Sequence, residues 1–204
     1  NSFNSSNLSS WTQVYNSDTN WFVGAFDKNS TSTFDMGWGM YNIITHNVFG
    51  DSLYAIKTTD GNWKKLWIRS LNSGTYYFTF SDFDGSNEHN QYAQKSIDST
   101  AHFLYYGLDN VCPFHNYEPN KQDWDITFAK YITPVQGTPY GVTGVLSNSG
   151  IKVAQVDNLP NPNTYVNYSQ HIMMTEMNSI GYDWKEFDMS SFTYLIDSDR
   201  CYFI

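Results

Sequence analysis

Apolar and polar residues alternate along much of this chain, and short polar turns interrupt the alternation. The pattern is clearest from Asp51 to Ile68, where two alternating segments flank the pair Asp60–Gly61. Such alternation places one face of a strand in a core and the other in solvent, and Asp-Gly is a strong signal for a tight turn. The sequence therefore predicts a β-hairpin in this stretch.

Further strands extend this prediction along the chain. A third strand at Gly74–Phe83 makes the hairpin an antiparallel meander. The other strand predictions are Asn20–Phe26, His102–Leu108, Asp123–Ile132, Gly141–Asn148 and Ile151–Val156. Only Ser169–Gly181 has a helical composition, with Ile172 and Met173 expected to face inward and Gly181 to end the helix. The expected fold class is all-β, in antiparallel sandwich or meander modules with at most one short helix, near residues 169–180.

Composition agrees with this fold class and narrows the function. Aromatic residues make up 18% of the 204 residues, and charged residues only 15%. Aromatic side chains pack well on pleated sheets, and the balance is typical of a β-rich secreted protein. The formal net charge is -9, so we expect no nucleic-acid partner and no attraction to anionic lipid. No apolar run reaches the ~20 residues that span a bilayer.

An internal repeat relates two parts of the chain. The segment Phe34–Asn42 aligns with Ile180–Asp188, and DSLYAI (51–56) aligns with DRCYFI (199–204). The alignment matches Trp38 with Trp184, Tyr41 with Phe187, and Asn42 with Asp188. We interpret residues 1–108 as the C-terminal part of one module, 109–122 as a linker, and 123–204 as the N-terminal part of a second module. The chain is therefore expected to be truncated at both ends.

Four motifs resemble one known family. The segments WDITFAKY (124–131), YGVTGVLSN (140–148), IGYDWKEFD (180–188) and DSLYAIKTTDGNWKKLWI (51–68) resemble the HmuY-like family of Bacteroidota, including tandem modules in cargo proteins of type IX secretion systems. The resemblance covers most of residues 20–204. It implies an all-β fold, export to the bacterial cell surface or the extracellular space, outer-membrane or surface protein partners, and no enzymatic activity.

Known members of this family capture haem, so the resemblance also implies ligand positions. One axial His is expected near Ala129, where this chain has no ligand. The second ligand is expected from the later loop region, in which the candidates are His171, Met173, Met174 and Met177. His and Met are common axial ligands of haem iron, whereas Met residues at helical spacing also commonly fill core space. Haem or porphyrin binding is thus an alternative function.

Two other clusters have spacings that suit metal ions. Asp82, Asp84 and Glu88 surround Gly85, as carboxylates do in calcium loops, although the same residue types also form simple turns. The segment Cys112–His115 has metal-like spacing but lacks a second ligand pair nearby. Cys112 and Cys201 could pair, but we interpret them as free thiols because one is expected in a loop and the other in a strand.

No sequence motif favours catalysis. The acidic residues show no spacing that selects a glycosidase pair, and neither a nucleophile elbow nor a phosphate-binding glycine loop occurs. Trp11 and Trp21 are the tryptophans expected to be exposed, which makes a carbohydrate-binding module a second alternative. The function expected first is a non-catalytic secreted or cell-surface module that is structural, adhesive or partner-binding.

Overall fold

The computed structural model describes residues 7–114 and 117–204, which form two compact units. Unit 1 is built from the described residues of 1–15 and 25–121. Unit 2 is built from residues 16–24 and 122–204. The division places residues 16–24 in the second unit, which differs from the expectation that all residues up to 108 share one module. None of the helices in the described ranges is long and apolar enough to cross a membrane.

Unit 1 contains an antiparallel sheet of six strands and a separate hairpin. The sheet consists of β1 (Gly39–Asn42), β2 (Asn47–Gly50), β3 (Leu53–Lys57), β4 (Trp63–Asn72), β5 (Thr75–Asp82) and β6 (His89–Gln94). The hairpin consists of β7 (Tyr105–Gly107) and β8 (Cys112–Phe114). Short 3-10 turns lie at Leu8–Ser10, Ala25–Asp27 and Lys95–Asp98. Both β3 and β2 pair with β4, so this long strand joins two neighbours on one of its edges.

Glycine occupies turn positions of this sheet at which the backbone has a positive φ. Gly61 follows Asp60 with a φ of 88°, and the β4–β5 turn places Ser73 at 48° and Gly74 at 76°. Two successive residues with positive φ are characteristic of the tight hairpin turns that match strand twist. The predicted hairpin and meander are therefore confirmed. One face of the sheet forms a core around Leu66, Phe78 and Phe80.

Unit 2 consists of three strand pairs that are linked by isolated bridges. The strands are β9 (Ile126–Val135), β10 (Thr138–Ser147), β11 (Ala154–Val156), β12 (Lys185–Asp188), β13 (Thr193–Ile196) and β14 (Cys201–Phe203). The antiparallel pairs are β9–β10, β11–β14 and β12–β13. Single bridges join Val145 to Gly181 and Val153 to Met174. Short 3-10 turns lie at Pro162–Thr164 and Tyr168–Gln170.

The N-terminal segment 16–24 is held to unit 2 by hydrogen bonds. The Trp21 indole donates to the carbonyl oxygen of Ser147 at 2.8 Å. The Thr133 hydroxyl donates to the Asp18 carboxylate at 2.5 Å, and Asn178 donates to the same carboxylate at 3.3 Å. The core of unit 2 forms around Val145, Val153 and Ile180.

The all-β class is confirmed, but two local predictions, the helix and the first strand, are wrong. The segment 169–180 contains the 3-10 turn Tyr168–Gln170 and the single bridge at Met174, and Ile172 is 87% exposed instead of facing inward. Because Met174 exchanges backbone hydrogen bonds with Val153, its backbone cannot also form a helix. Asn20–Phe26 forms turns instead of a strand. The expected linker 109–122 contains β8, which pairs with β7.

Candidate binding surfaces

The repeat seen in the sequence is a repeat of structure. Strands β1 and β2 span residues 39–42 and 47–50, and β12 and β13 span 185–188 and 193–196, so both strands recur after 146 residues. The last loop residue has a positive φ in both hairpins, 56° at His46 and 54° at Phe192. The two hairpins are therefore equivalent elements, one in each unit.

The same side-chain cap organises both loops. The Asn42 side-chain oxygen accepts the backbone N–H groups of Ile44 and Thr45 at 2.9 and 3.0 Å. In unit 2 the equivalent Asp188 carboxylate accepts the backbone N–H groups of Ser190 and Ser191 at 2.9 and 3.3 Å. Asn and Asp share the ability to form such Asx turns. This shared geometry explains why the alignment pairs an amide with an acid.

A hydrogen bond to the carbonyl of a tryptophan closes each hairpin at its open end. The Asp51 N–H donates to the Trp38 carbonyl at 3.2 Å, and the Asp197 N–H donates to the Trp184 carbonyl at 3.0 Å. Successive residues of a strand direct their N–H and C=O groups to opposite edges. Since Asp197 faces β12, Tyr194 and Ile196 direct their backbone groups away from β12.

The two hairpins differ in what covers that outer edge. In unit 1, β4 pairs with it, with Val48 opposite Leu71. In unit 2, no strand of the described residues pairs with the outer edge of β13. Val48 is 5% exposed, whereas the equivalent Tyr194 is 61% exposed. The outer edge of β13 thus presents unpaired backbone groups next to exposed apolar side chains.

Strand β14 also has one edge with which no strand of the described residues pairs, because its only partner is β11. The backbone groups of Val153 point to Met174. Backbone groups alternate between the two edges of a strand, so those of Ala154 and Val156 point to β14. Their partners Phe203 and Cys201 therefore face β11, and Tyr202 directs its backbone groups to the opposite edge.

In unit 1 the strand equivalent to β14 is β3, and its equivalent edge pairs with β4. The Thr58 N–H donates to the Asn62 carbonyl, which places the backbone groups of Ile56 and Tyr54 toward β4. Tyr54 aligns with Tyr202. We call the outward-facing groups of Tyr194, Ile196 and Tyr202 the open edge of unit 2.

An apolar cleft of about 240 Å³ lies beside this open edge. It is lined by Phe128, Val145, Ile180, Trp184, Ile196, Asp197, Arg200 and Tyr202. Arg200 forms ion pairs with Asp197 at 3.0 Å and with Asp183 at 3.6 Å, and also contacts Asp157. The cleft therefore has an apolar floor and a charged rim.

A second exposed surface covers the outer face of the unit 1 sheet. Opposed residues form a row across five strands, from Met40 and Phe49 through Ser70 to Tyr77 and Tyr92. All of these except the half-buried Ser70 are exposed. Residues that face each other across antiparallel strands share one face of the sheet, so this row is continuous.

A shorter row lies beside the first one. Leu53 lies opposite Trp67, and Trp63 lies on the same face of β4. All three side chains are exposed, and Trp63 stacks on Phe83 with ring centroids 5.9 Å apart. We call the exposed side chains of both rows, Met40, Phe49, Leu53, Trp63, Trp67, Tyr77 and Tyr92, the aromatic face of unit 1.

The haem-ligand candidates lie apart from the apolar cleft of unit 2. The His171 ring is hydrogen bonded to the Tyr165 hydroxyl at 2.8 Å. Met173 is exposed, and Met174 lies in the bridge to Val153. None of these three side chains lines the cleft. The fourth candidate, Met177, is buried and lines a separate pocket of about 400 Å³ beside Trp21 and Phe22. The structure therefore does not bring the four candidates together in one cleft, and Ala129, at the other expected position, has no ligating side chain.

The calcium candidates serve as turn residues. Asp82 accepts a hydrogen bond from Lys64 at 2.6 Å and another from Asn87 at 2.7 Å, and Asp84 accepts from the Ser86 hydroxyl at 2.6 Å. These bonds lower the pKa of Asp82 and of Asp84. Glu88 accepts from Asn90. Within residues 7–114 and 117–204, no three acidic, His or Cys side chains are grouped to hold a metal ion.

The remaining site candidates are placed as follows. Trp11 is exposed as expected, whereas Trp21 packs edge-on against Trp124 with ring centroids 6.1 Å apart. Cys112 and Cys201 are free thiols, as expected. His115, the last residue of the Cys-Pro-Phe-His segment, lies outside the described residues.

Comparison of the chain with protein-family models, with curated proteins and with solved structures gives no significant match. The resemblance to HmuY-like proteins therefore remains a prediction from the sequence motifs.

Sequence analysis missed both surfaces described above, although signals for each were present. Trp63 and Trp67, which share the face of β4 opposite to the buried Leu66, indicated that this outer face also has large apolar side chains. The internal repeat aligned β13 and β14 with β2 and β3, both of which pair with β4.

Proposed function

We propose that this chain is a non-catalytic binding module that is displayed at a bacterial cell surface or released from it. The observation that supports the proposal best is the aromatic face of unit 1. A monomeric soluble protein rarely exposes a contiguous apolar patch of this kind unless the patch binds something. Tyr and Trp are also the residues most enriched at the energetic centres of protein interfaces.

The rigid presentation of the aromatic face supports a role in adhesion. It lies on a sheet whose opposite face is a packed core around Phe80, which is 1% exposed. The side chains are therefore presented from a rigid support, so that little conformational entropy is lost on binding. The resemblance to type IX cargo proteins supports a surface partner, and a protein of the outer membrane or cell surface is the partner class we propose.

A carbohydrate ligand is the second candidate, because flat aromatic rings also stack on sugar rings. The Trp67 ring on this face has polar neighbours that could bind hydroxyl groups. Thr79, opposite Trp67, is hydrogen bonded to Asn90 at 2.7 Å on the next strand. A flat aromatic surface with adjacent amide and hydroxyl groups suits a polysaccharide as well as a protein.

Binding to outer-membrane vesicles from a bacterium with a type IX secretion system tests the proposal. We expect the purified chain to bind, and the double variant Trp67→Ser, Tyr77→Ser to bind at least about tenfold more weakly, since each such side chain contributes about 1 kcal/mol or more at an interface centre. Tyr140→Ser, an exposed position of unit 2, is the matched control and should bind normally.

Treatment of the vesicles separates the two ligand classes. Loss of binding after protease treatment supports a protein partner, and loss after periodate oxidation supports a glycan. Absence of binding, or equal binding by a folded double variant, would contradict the proposed surface.

A further inference from the structure

We propose that a pocket of unit 2 binds a neutral saccharide. The pocket has a volume of about 400 Å³, which lies within the about 300 to 1,000 Å³ of typical ligand pockets. Three segments line it, namely residues 19–22, residues 148–150 after β10, and residues 175–177. All three segments belong to unit 2, so this site is distinct from the aromatic face of unit 1.

Hydrogen bonds between the three segments fix the shape of the pocket. The Met177 N–H donates to the Thr19 carbonyl at 3.0 Å, and the Trp21 indole donates to the carbonyl of Ser147, the residue before Asn148. The Ser147 N–H in turn donates to the Met177 carbonyl at 2.7 Å. Each segment is thus held to the other two. A pocket that is formed before its ligand arrives loses little conformational entropy on binding.

An exposed aromatic ring lines this pocket. Phe22 is 73% exposed, and its backbone N–H donates to the Asn20 side-chain oxygen at 2.8 Å, which fixes the turn that carries the ring. A phenyl ring in water gains free energy when it packs on an apolar surface. One face of a pyranose ring consists of C–H groups and offers such a surface. Phe22 therefore suits stacking on a sugar ring.

Polar groups that are available for a ligand accompany the ring. Four groups from the lining residues make no hydrogen bond or ion pair within the described residues: the Asn20 side-chain NH₂, the Ser149 and Thr175 hydroxyls, and the Glu176 carboxylate. The amide donates, the carboxylate accepts and the hydroxyls do both. Sugar hydroxyls also donate and accept, so a saccharide can satisfy the whole set.

The charge of the pocket narrows the ligand class. Among the described residues that line it, Glu176 is the only charged one, so a phosphate, a sulfate or an acidic sugar would be repelled. A carboxylate beside an aromatic ring also suits an ammonium group. An ammonium group has no acceptor, however, and would leave the Asn20 NH₂ group without a partner. A neutral saccharide meets both requirements.

The test uses the full 204-residue chain on an array of neutral and anionic glycans, followed by NMR titration with the neutral glycan that binds best. We expect saturable binding of a neutral glycan and no preference for anionic ones. The backbone amide resonances of Asn20, Phe22, Ser149 and Glu176 should shift, together with the indole resonance of Trp21.

Substitutions at the ring test the stacking contact. Phe22→Ala should weaken binding about tenfold, because the ring contact is lost, whereas Phe22→Tyr should retain it. Phe128→Ala is the matched control, since Phe128 is a phenyl ring of unit 2 with a similar exposure, 75%, and does not line this pocket. It should bind normally. NMR spectra of each variant without glycan verify that it is folded.

The variant Glu176→Gln separates a saccharide from an amine. Because glutamine keeps an acceptor oxygen and loses the charge, it should weaken saccharide binding by no more than about tenfold. Abolished binding in Glu176→Gln, with competition by a simple alkylamine, would make the pocket an ammonium site and overturn the inference.

Two further results would overturn it. The first is absence of binding by every neutral glycan on the array. The second is glycan binding that is lost in Trp67→Ser, Tyr77→Ser and unchanged in Phe22→Ala, which would place the glycan on the aromatic face of unit 1. Because the vesicle assay reports on that face alone, failure of either proposal leaves the other intact.

Discussion

Tyr194 occupies the place in its hairpin that Val48 occupies in the other, yet Val48 is buried and Tyr194 is exposed. The strand lengths, the positive φ of the last loop residue and the closing bond to a tryptophan carbonyl agree between the two hairpins. The backbone of the two hairpins therefore differs mainly in its outer edge. Strand β4 pairs with the outer edge of β2, whereas no strand of the described residues pairs with the outer edge of β13.

The cap of the second hairpin should depend on pH. The hydroxyl of Ser191 and the amide of Ser190 lower the pKa of Asp188 to about 2. A lowered pKa means that the folded hairpin favours the carboxylate, so its stabilisation is complete above about pH 4 and is lost as the pH falls toward 2. The backbone amide shifts of Ser190 and Ser191 in NMR spectra should therefore titrate with a midpoint near pH 2 instead of near the usual aspartate value of 3.8.

The variant Asp188→Asn is the matched control for that titration. Asn42 forms the same cap in the first hairpin, so the amide variant should keep the loop and lose its pH dependence over this range. Titration that persists unchanged in Asp188→Asn would show that another group is responsible.

Gly50 and Ile196 should respond oppositely to substitution. Gly50→Ala places a Cβ against the Ile68 carbonyl and should lower the free energy of unfolding of unit 1 by about 2 kcal/mol or more. Ile196→Gly removes an exposed side chain and should change the stability of unit 2 by no more than about 1 kcal/mol. Urea unfolding of both variants measures the contrast, and a tolerated Gly50→Ala would contradict the close approach of β4.

Trp21 should stabilise unit 2 although it lies far in sequence from residues 122–204, which form the rest of that unit. Trp21→Phe removes the indole donor to the carbonyl of Ser147, a residue that is almost completely buried. A buried acceptor left without a partner costs about 1 to 3 kcal/mol. The adjacent and exposed Phe22 offers a control, since Phe22→Ala should have little effect on urea unfolding. Equal effects of the two substitutions would argue against the role of this bond.

Haem should not bind through the family's predicted ligands. His171 is engaged with Tyr165, and the apolar cleft is lined by other residues. Titration of the folded chain with haem, in oxidised and reduced form, should give no sharp Soret shift that is lost in His171→Ala. A shift that depends on His171, Met173 or Met174 would restore haem capture as the function.

Local sequence patterns predicted the parts of the fold that depend on neighbouring residues. Asp60–Gly61 and the alternation around it predicted β3, β4 and β5, because turn chemistry and burial of one face act over a few residues. The helix predicted for residues 169–180 was wrong because the backbone of Met174 instead forms hydrogen bonds with Val153, which is distant in sequence. The assignment of Trp21 to unit 2 was also unpredictable, since it depends on a contact with Ser147.

The candidate surfaces were predictable only in part. The repeat that aligned Trp38 with Trp184 contained the information that one hairpin has a covering strand, but exposure cannot be read from an alignment. The aromatic face required the register of five strands, because only register brings Phe49 and Tyr77 into one row. His171 was selected by resemblance, which does not specify that its ring contacts Tyr165.

Hydrogen exchange at two equivalent amides, in the chain alone, tests the central claim most directly. The N–H of Val48 points toward β4 and should exchange slowly, at a rate set by opening of the unit 1 sheet. The N–H of Tyr194 points to the open edge and should exchange at nearly the rate of an unstructured peptide, while the N–H of Leu195, which faces β12, is protected. Comparable protection at Val48 and Tyr194 would show that the edge of β13 is already covered and would contradict the account.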